Sequence, residues 1–302
     1  MKRILVTGSN GLLGQKLTDR ILSKKDFELI ATSKGLNRYP YESGYKYVEL
    51  DICNPNQVKQ VLELYHPAAV IHTAAMTNVD ACENNKELCQ ALNVTAVENL
   101  VTVCEKLDIL LIHLSTDFIF DGEDGPYTEE DKPNPLSYYG RTKLEAENVL
   151  QKSSCRWAIL RTIIVYGIVN DMSRTNIVLW AKDALEKGDP IKVVFDQWRM
   201  PTLAEDLAEC CLLVVKYNAQ GIYNASGKDM MSIVELVEEV ADFWGLNKSL
   251  INPISSDSLN QTAKRPKRTG FVLDKTIREL HYNPHSFKEG LAIVDKQLKK
   301  TL

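Results

Sequence analysis

The sequence of 302 residues predicts an α/β protein with a doubly wound parallel sheet. Three observations support this fold class. Short apolar runs, typical of buried parallel strands, alternate with segments of helical periodicity from the N-terminus onward. A glycine-rich turn directly follows the first apolar run. Beyond residue 167 the alternation loosens, which predicts a smaller C-terminal α/β part.

Composition and charge exclude several classes of protein. A net charge of -4 argues against a nucleic-acid-binding surface. No apolar run reaches the roughly 18 residues of a membrane span, and the N-terminus leads straight into a strand pattern, so a cytoplasmic protein without a membrane partner is expected. Seven cysteines without a Cys-x-x-Cys pair fit a reducing compartment. The five histidines lack metal-ligand spacing, so no metal is expected, and His72 and His113 are interpreted as structural or pocket-lining residues.

The first strand and turn carry a dinucleotide-binding pattern. Residues 3–7 form the strand, and residues 15–23 have helical periodicity. In this context Gly8 makes the tight turn, Gly11 lets a pyrophosphate approach the backbone, and Gly14 lets the helix pack on the strand. The helix N-terminus then faces the phosphates, as in a Rossmann-type fold. The cofactor-binding residues expected here are Gly8, Asn10, Gly11, Leu12, Leu13 and Gly14.

The end of the second strand bears on cofactor choice. Residues 28–32 form this strand, and Ser33, Lys34 and Arg38 follow it. An NAD-dependent protein usually places a carboxylate here, whereas a 2′-phosphate favours a cation and a hydroxyl. The sequence therefore predicts NADP(H) as the preferred cofactor, with NAD(H) as the alternative.

The next two strands complete the expected cofactor cleft. Residues 45–50 lead to Asp51 and Ile52, where Asp51 is placed to meet the adenine amino group. Residues 69–73 form the fourth strand, and the small residues after it allow the backbone to lie against the cofactor ribose or simply serve helix-to-sheet packing. Those small residues are Ala74 and Ala75.

The most continuous apolar run, residues 109–114, predicts a central strand. It delivers Ser115, Thr116 and Asp117 at its carboxyl end, where ligands bind in open parallel sheets. Asn93, in the helix predicted before this strand, is expected to support the site from behind. Hydroxyls and a carboxylate are therefore well placed to act on a ligand.

Tyr139 and Lys143 lie four residues apart in a segment of good helix formers. This spacing places both side chains on one helix face, a single turn apart. An ammonium beside a phenol lowers its pKa from an ordinary value of ~10. The pair therefore predicts a tyrosine that exchanges protons near neutral pH, although the same spacing is common on ordinary solvated helices.

The remaining elements set the predicted domain organisation. Further helices are expected over residues 54–65, 88–107, 176–186, 203–217, 232–244 and 286–299. Further strands are expected over residues 156–160, 191–195 and 221–224, and polar loops over residues 123–135 and 255–269. We expect residues 1–167 to form the dinucleotide-binding domain and residues 168–302 to be mainly substrate-binding, with room for one or two elements to return to the first sheet.

Taken together, the glycine turn of residues 7–14, Ser115 to Asp117, and the Tyr139 and Lys143 pair resemble the extended short-chain dehydrogenase/reductase family. Several further stretches resemble its dTDP-4-dehydrorhamnose reductase branch, and the resemblance runs nearly end to end. These stretches are residues 115–122, Arg161-Thr162, Tyr166-Gly167, Asp196-Gln197, Pro201-Thr202 and Arg265-Pro266.

The resemblance implies hydride transfer from NAD(P)H to the C4 ketone of a nucleotide-linked 4-keto-deoxysugar, as in dTDP-rhamnose biosynthesis. Tyr139 would give a proton to the carbonyl oxygen, Thr116 would hydrogen-bond that oxygen, and Lys143 would lower the pKa of the tyrosine and hold the nicotinamide ribose. The partner implied is a nucleotide-diphosphate sugar, and a homodimer is compatible with the family. The substrate-binding residues it implies are Thr77, Asp117, Phe118, Arg199 and Arg265.

Two departures leave the sugar and the class open. Residues 221–227 resemble sugar-nucleotide epimerases, and residues 265–270 replace the shorter pattern of the reductase branch. An epimerase or dehydratase with tightly bound NAD is therefore an alternative. Phe118 argues against a dehydratase, because it occupies the position at which the similar dehydratases have a glutamate. A further alternative is a non-catalytic role, because the regulatory β subunit of methionine adenosyltransferase resembles the same branch.

Overall fold

The computed structural model describes residues 1–170, 175–259 and 261–301. The strands are β1 Lys2–Thr7, β2 Phe27–Ser33, β3 Lys46–Glu49, β4 Ala69–His72, β5 Leu110–Thr116, β6 Trp157–Thr162, β7 Val165–Tyr166, β8 Ile191–Val194, β9 Trp198–Arg199, β10 Thr202–Leu203, β11 Gly221–Asn224, β12 Met231–Ser232 and β13 Ile251–Ile254. The helices are α1 Leu12–Lys24, α2 Pro55–Tyr65, α3 Val79–Asn84, α4 Lys86–Gln90, α5 Ala96–Leu107, α6 Tyr138–Lys152, α7 Ile177–Glu186, α8 Ala204–Tyr217, α9 Ile233–Trp244, α10 Asp274–Leu280 and α11 Phe287–Thr301.

A seven-stranded parallel sheet in the order β11-β6-β5-β4-β1-β2-β3 forms the centre of the molecule. Apolar side chains from both faces of its inner strands are buried under helices, which is why these strands read as continuous apolar runs. Strand order reverses between β1 and β4, and in such sheets the ligand crevice opens at the carboxyl ends there. The predicted α/β fold class is confirmed.

The second half of the chain also contributes to this sheet. Strand β11 adds to the edge of the sheet beside β6, with Tyr223 opposite Leu160. Helix α8 covers the same face as α1 and buries Leu207, Ala208 and Leu212 in a shared cluster. A separate cluster lies between α7, α9, α11 and the β8–β13 pair. Residues 168–302 therefore return a strand and a helix to the first sheet and also form a second cluster of their own.

The helix predicted over residues 88–107 differs from the observed one. It is divided into α4, a π-helical turn over Ala91–Thr95, and α5. The turn brings the side chain of Asn93 toward the sheet, where it is 1% exposed and hydrogen-bonded. Rare π-helical turns occur frequently at functional sites, and periodicity alone does not reveal them.

Several short elements were not expected from the sequence. They include α3, α10, β13, the two-residue strands β7, β9, β10 and β12, and a 3₁₀ turn over Asp117–Ile119. The predicted polar loop over residues 255–269 contains a 3₁₀ turn, Ser256–Ser258, and its residue 260 lies outside the described residues. Such elements are too short for a periodic pattern to identify. None of the described helices has both the length and the apolar character needed to cross a membrane.

Candidate active site

A cavity of about 480 Å³ opens at the carboxyl edge of the sheet, where β1, β4 and β5 end. It extends from the N-terminus of α1 to the start of α6 and to the segment after β6. Ten residues of the predicted site line it: Gly11, Leu12, Leu13, Ala75, Thr77, Thr116, Asp117, Phe118, Tyr139 and Lys143. Four distant segments of the chain therefore meet in one crevice.

The glycine turn has no room for side chains. Gly8 has a φ of +69°, and an added Cβ would lie 2.8 Å from the backbone nitrogen of Ala74. An added Cβ on Gly14 would lie 2.5 Å from Cα of Ser9 and closer still to the carbonyl oxygen of Gly8. The turn is thus folded tightly against both α1 and the segment after β4, as close approach of a ligand to the backbone requires.

The turn also leaves polar groups available. Helix α1 begins after Gly11, and within the described chain no side chain caps it and no acidic residue lies in its first turn. Its free N–H groups and its dipole favour a bound anion. The hydroxyl of Ser9 is buried without a hydrogen-bond partner among the described residues. Asn10 instead holds the neighbouring loop, accepting from the N–H of Arg38 at 2.9 Å and donating to the carbonyl of Leu36 at 2.9 Å.

The predicted adenosine end lies beyond this cavity, at the ends of β2 and β3. Lys34 forms an ion pair with Asp51 at 2.7 Å, and its side chain is 78% exposed. The hydrogen bond from Lys34 lowers the pKa of Asp51. The carbonyl of Ser33 accepts from the N–H of Leu50 at 2.9 Å. Lys34, predicted to meet a 2′-phosphate, therefore pairs with Asp51, predicted to meet adenine. Ile52, next to Asp51 in the sequence, is buried.

Tyr139 and Thr116 both line the cavity. Tyr139 is 8% exposed and lies one residue into α6, which Ser137 caps by accepting from the N–H of Gly140. Burial raises the pKa of the Tyr139 phenol above its ordinary value, and the nearby hydroxyl of Thr116 opposes that rise. The expectation that Lys143 lowers the tyrosine pKa is wrong for this structure, because desolvation dominates.

Lys143 is buried one helical turn after Tyr139, and its Nζ lies 3.0 Å from Nε2 of His113. Burial lowers the pKa of Lys143 to about 8, and the carboxylate of Glu147, one turn further along α6, opposes that effect. Glu147 is itself fully buried and paired with Arg161 at 2.8 Å. The ammonium therefore lies in a low-dielectric site with one neutral hydrogen-bond partner and a carboxylate nearby.

Asn93 supports the backbone after β4 from behind. Its Oδ1 accepts from the N–H of Met76 at 2.9 Å, and its Nδ2 donates to the carbonyl of Met76 at 3.1 Å and to the hydroxyl of Thr142 at 3.2 Å. It thereby ties the Ala74–Ala75 segment to α6. The cavity wall and the helix that carries Tyr139 are fixed to each other.

The five predicted substrate residues are not all in the cavity. Thr77, Asp117 and Phe118 line it, and the ring of Phe118 contacts that of Tyr139 edge-on at 5.9 Å between centroids. Arg199 is outside the lining and 2% exposed, with Nε 3.6 Å from Asp117. Arg265, also outside it, pairs with Asp80 at 2.6 Å. The buried guanidinium of Arg199 also donates to the carbonyls of Lys267 and Pro266, so it has few donors left, whereas Arg265 is half-buried.

Some lining residues were not predicted as site residues from the sequence. Ile164, Val165, Gly167, Val169 and Asn176 enter the cavity from the segment after β6. Gly167 has a φ of +151°, which favours glycine and is the one local hint that the chain turns there. His72, interpreted from the sequence as structural or pocket-lining, also lines the cavity, and its ring stacks on that of His113 at 5.6 Å.

The fold and the cavity define an NAD(P)-dependent oxidoreductase of the extended short-chain dehydrogenase/reductase class. A family model described as the RmlD substrate binding domain matches residues 1–299. The chain belongs to this family.

The individual relatives include reductases and a subunit of a methionine adenosyltransferase. The chain is 30% identical over 295 residues to a probable low-salt glycan biosynthesis reductase of Haloferax volcanii, covering 96% of each chain. A methionine adenosyltransferase 2 subunit beta of Xenopus laevis is also 30% identical, over 87% of this chain and 78% of that one. A solved dTDP-4-dehydrorhamnose reductase of Clostridium acetobutylicum superposes with a TM-score of 0.85 at 29% identity, covering 98% of this chain and 99% of that chain.

A second solved dTDP-4-dehydrorhamnose reductase, from Bacillus anthracis, is in complex with NADP. It superposes with a TM-score of 0.83 at 26% identity, covering 98% of this chain and all of that one. The resemblance to the dTDP-4-dehydrorhamnose reductase branch is thereby confirmed, and a nicotinamide cofactor is supported for this chain.

Proposed function

We propose that the protein reduces the C4 ketone of a nucleotide-linked 4-keto-deoxysugar. The observation that carries this proposal is the convergence of Thr116, Tyr139 and Lys143 in one cavity with the glycine turn. When bound, the reduced nicotinamide supplies the hydride. The protein's own part is to hold the sugar, to position its carbonyl and to supply the proton.

The proton donor in this proposal is the hydroxyl of Tyr139. A high pKa keeps the phenol protonated at neutral pH, as a general acid must be. Thr116, whose Oγ1 now donates to Oδ1 of Asp117 at 3.1 Å, is the second donor. Negative charge develops on the carbonyl oxygen during reduction, so two donors aimed at that oxygen stabilise the transition state more than the ground state. The ammonium of Lys143 adds positive charge behind them.

The test is turnover of a panel of dTDP-, UDP- and GDP-linked 4-keto sugars with NADPH, followed by loss of nicotinamide absorbance. The dTDP-linked sugars come first because two similar structures are dTDP-4-dehydrorhamnose reductases. We expect Tyr139→Phe to lower kcat by about 10²- to 10⁴-fold with cofactor affinity within a few fold. The neighbouring Tyr138→Phe is the control and keeps its rate. A Tyr139→Phe enzyme with near wild-type turnover would remove the proton donor.

For the cofactor we propose NADP(H), because Lys34 is exposed and lies where a 2′-phosphate would be placed. A phosphate there competes with Asp51 for the ammonium. We expect Lys34→Ala to weaken NADPH binding on the order of tenfold and to leave NADH binding nearly unchanged. Fluorescence titration of both nucleotides measures this difference. Equal weakening of both would show that Lys34 does not discriminate between them.

A second candidate is a regulatory subunit, favoured by the 30% identity to a methionine adenosyltransferase 2 subunit beta. In this role the protein would bind a partner and turn over no sugar. Affinity capture with a methionine adenosyltransferase catalytic subunit, run beside the sugar panel, separates the two. Binding without turnover favours the regulatory role, and turnover without binding favours the reductase.

A further inference from the structure

We propose that His113 is a positioning residue, which fixes the ammonium of Lys143 at the carboxyl edge of the sheet. The effect of His113 on catalysis rests on the proposed reduction. Its positioning of the Lys143 ammonium does not. Nε2 of His113 lies 3.0 Å from Nζ of Lys143, across 30 residues of sequence. Both residues are nearly inaccessible to solvent, at 1% and 3% exposed.

The imidazole is itself held in place from the sheet. Thr7, His72 and His113 are in register on the neighbouring strands β1, β4 and β5. The hydroxyl of Thr7 lies 2.7 Å from Nδ1 of His72, and the rings of the two histidines stack with an interplanar angle of 25°. A continuous polar row thus crosses three strands and ends on Lys143. Because every member is buried, the row has little freedom to relax.

His113 can serve as an acceptor only if it stays neutral. The titratable groups around Lys143 are Tyr139 and Glu147 on its own helix, Cys89 on α4, His113 on β5 and His72 on β4. Burial and the neighbouring ammonium lower the pKa of His113 well below its ordinary value, so the ring is uncharged at neutral pH. Glu147 supplies negative charge but is paired with Arg161. The neutral ring therefore orients the ammonium without neutralising it.

The chemical consequence is a defined tautomer. To accept from the ammonium, Nε2 of His113 must carry no proton, so the proton is on Nδ1. Nδ1 is buried without a partner among the described residues, which is a cost that the Nε2 contact offsets. Long-range ¹⁵N correlation spectra of the wild-type protein report this directly. A proton on Nε2 at pH 7, or a charged ring, would overturn the proposal without any variant.

The second measurement follows the titration of Lys143 through its ¹³Cε resonance, assigned as the signal missing in Lys143→Met. We expect His113→Phe, which keeps an aromatic ring and removes the nitrogen acceptor, to lower the titration midpoint of Lys143 by about one pH unit. His113→Gln, whose amide oxygen restores an acceptor, is expected to recover most of the shift. An unchanged midpoint in a folded His113→Phe protein would overturn the proposal.

The third measurement is turnover with whichever sugar the panel identifies. We expect His113→Phe to lower kcat about tenfold, to move the alkaline limb of its pH profile to lower pH, and to leave KM within a few fold. His113→Gln should restore both the rate and the profile. An unchanged kcat in His113→Phe would overturn the catalytic consequence. If no sugar is turned over but the tautomer and the titration agree, the proposed function fails and the positioning role remains.

Discussion

Lys143 is the residue at which function and stability oppose each other most clearly. A lysine is among the most costly side chains to bury, and here a neutral imidazole and a nearby carboxylate compensate in part. Its pKa of about 8, lowered by burial from 10.5, means that the folded state holds the proton less tightly than the unfolded state. Such a group destabilises the fold at neutral pH, and it is retained where the charge is needed.

We therefore expect Lys143→Met to raise the free energy of unfolding at pH 7 by about 1–2 kcal/mol while abolishing turnover. The pKa shift corresponds to on the order of 3 kcal/mol, and part of the gain is lost because His113 is left without its partner. The gain should be complete below pH 8 and should disappear as pH rises through 10.5, where lysine is neutral in both states.

Urea denaturation at several pH values measures this gain. Lys152→Met is the control, because Lys152 is exposed at the end of the same helix and its replacement should change stability little. A Lys143→Met protein that is less stable than wild type at pH 7 would mean that the surroundings of the ammonium compensate its burial fully.

For other single residues, the surroundings in the structure differ from those that the sequence led us to expect. The family resemblance implied that Arg199 and Arg265 bind the substrate. In the structure, each of them pairs with a carboxylate of the protein itself. Asp117 is 2% exposed, and burial raises its pKa although Arg199 opposes that rise. Residue type alone does not say whether a charge faces a ligand or another side chain. Only the packing of segments distant in sequence decides that.

At the scale of elements, the turn between β1 and α1 is determined by local sequence. The spacing of its glycines predicts both the helix start and the tight contact of that helix with the turn, and the structure has both. Gly14 lies inside α1, where alanine would ordinarily be the better helix former by about 1 kcal/mol. The turn leaves no space for the methyl group. For Gly14→Ala, helix propensity therefore predicts a more stable protein, whereas packing predicts a less stable one.

We expect Gly14→Ala to destabilise the protein by about 1–3 kcal/mol and to weaken dinucleotide binding at least tenfold. The added Cβ would lie 2.5 Å from Cα of Ser9, so the helix must move away from the turn that is proposed to hold the pyrophosphate. Thermal unfolding and NADPH titration measure the two effects. A stabilised Gly14→Ala protein would show that helix propensity outweighs this contact.

The helix interrupted at Asn93 shows the limit of element prediction. A long amphipathic pattern predicts one helix, and the register shift at Ala91–Thr95 depends on what the helix packs against. Asn93 makes hydrogen bonds to Met76 and Thr142, both outside its own segment. A buried amide gains these partners only in the folded molecule. The sequence could suggest that Asn93 supports the site, but not which groups it contacts.

At the scale of the whole molecule, residues 1–167 pack against elements from the second half of the chain. Strand β11 completes the sheet beside β6, and α8 covers apolar side chains on the face it shares with α1. A chain that ended at residue 167 would expose that face to water. Burying apolar surface is the main favourable term in folding, so we expect residues 1–167 alone to lack a sufficient core.

We expect a fragment of residues 1–167 to show no cooperative thermal transition and to aggregate, whereas the full chain unfolds cooperatively. Circular dichroism and calorimetry on both proteins measure the difference. A fragment that also retains residues 203–224 on a short linker should recover part of the transition, because this range contains α8 and β11. Cooperative unfolding of residues 1–167 alone would support two independent domains.

The sequence by itself determined the α/β class, the glycine turn and the helix with Tyr139 and Lys143, because these features follow from hydrophobic period and spacing along a few neighbouring residues. The tertiary structure decided the partners: His113 for Lys143, Asp51 for Lys34, and Asp80 for Arg265. These contacts depend on strand order and register, which bring residues together across long separations in sequence. The same long-range packing removes water from Lys143 and Tyr139 and so sets their pKa values in the structure.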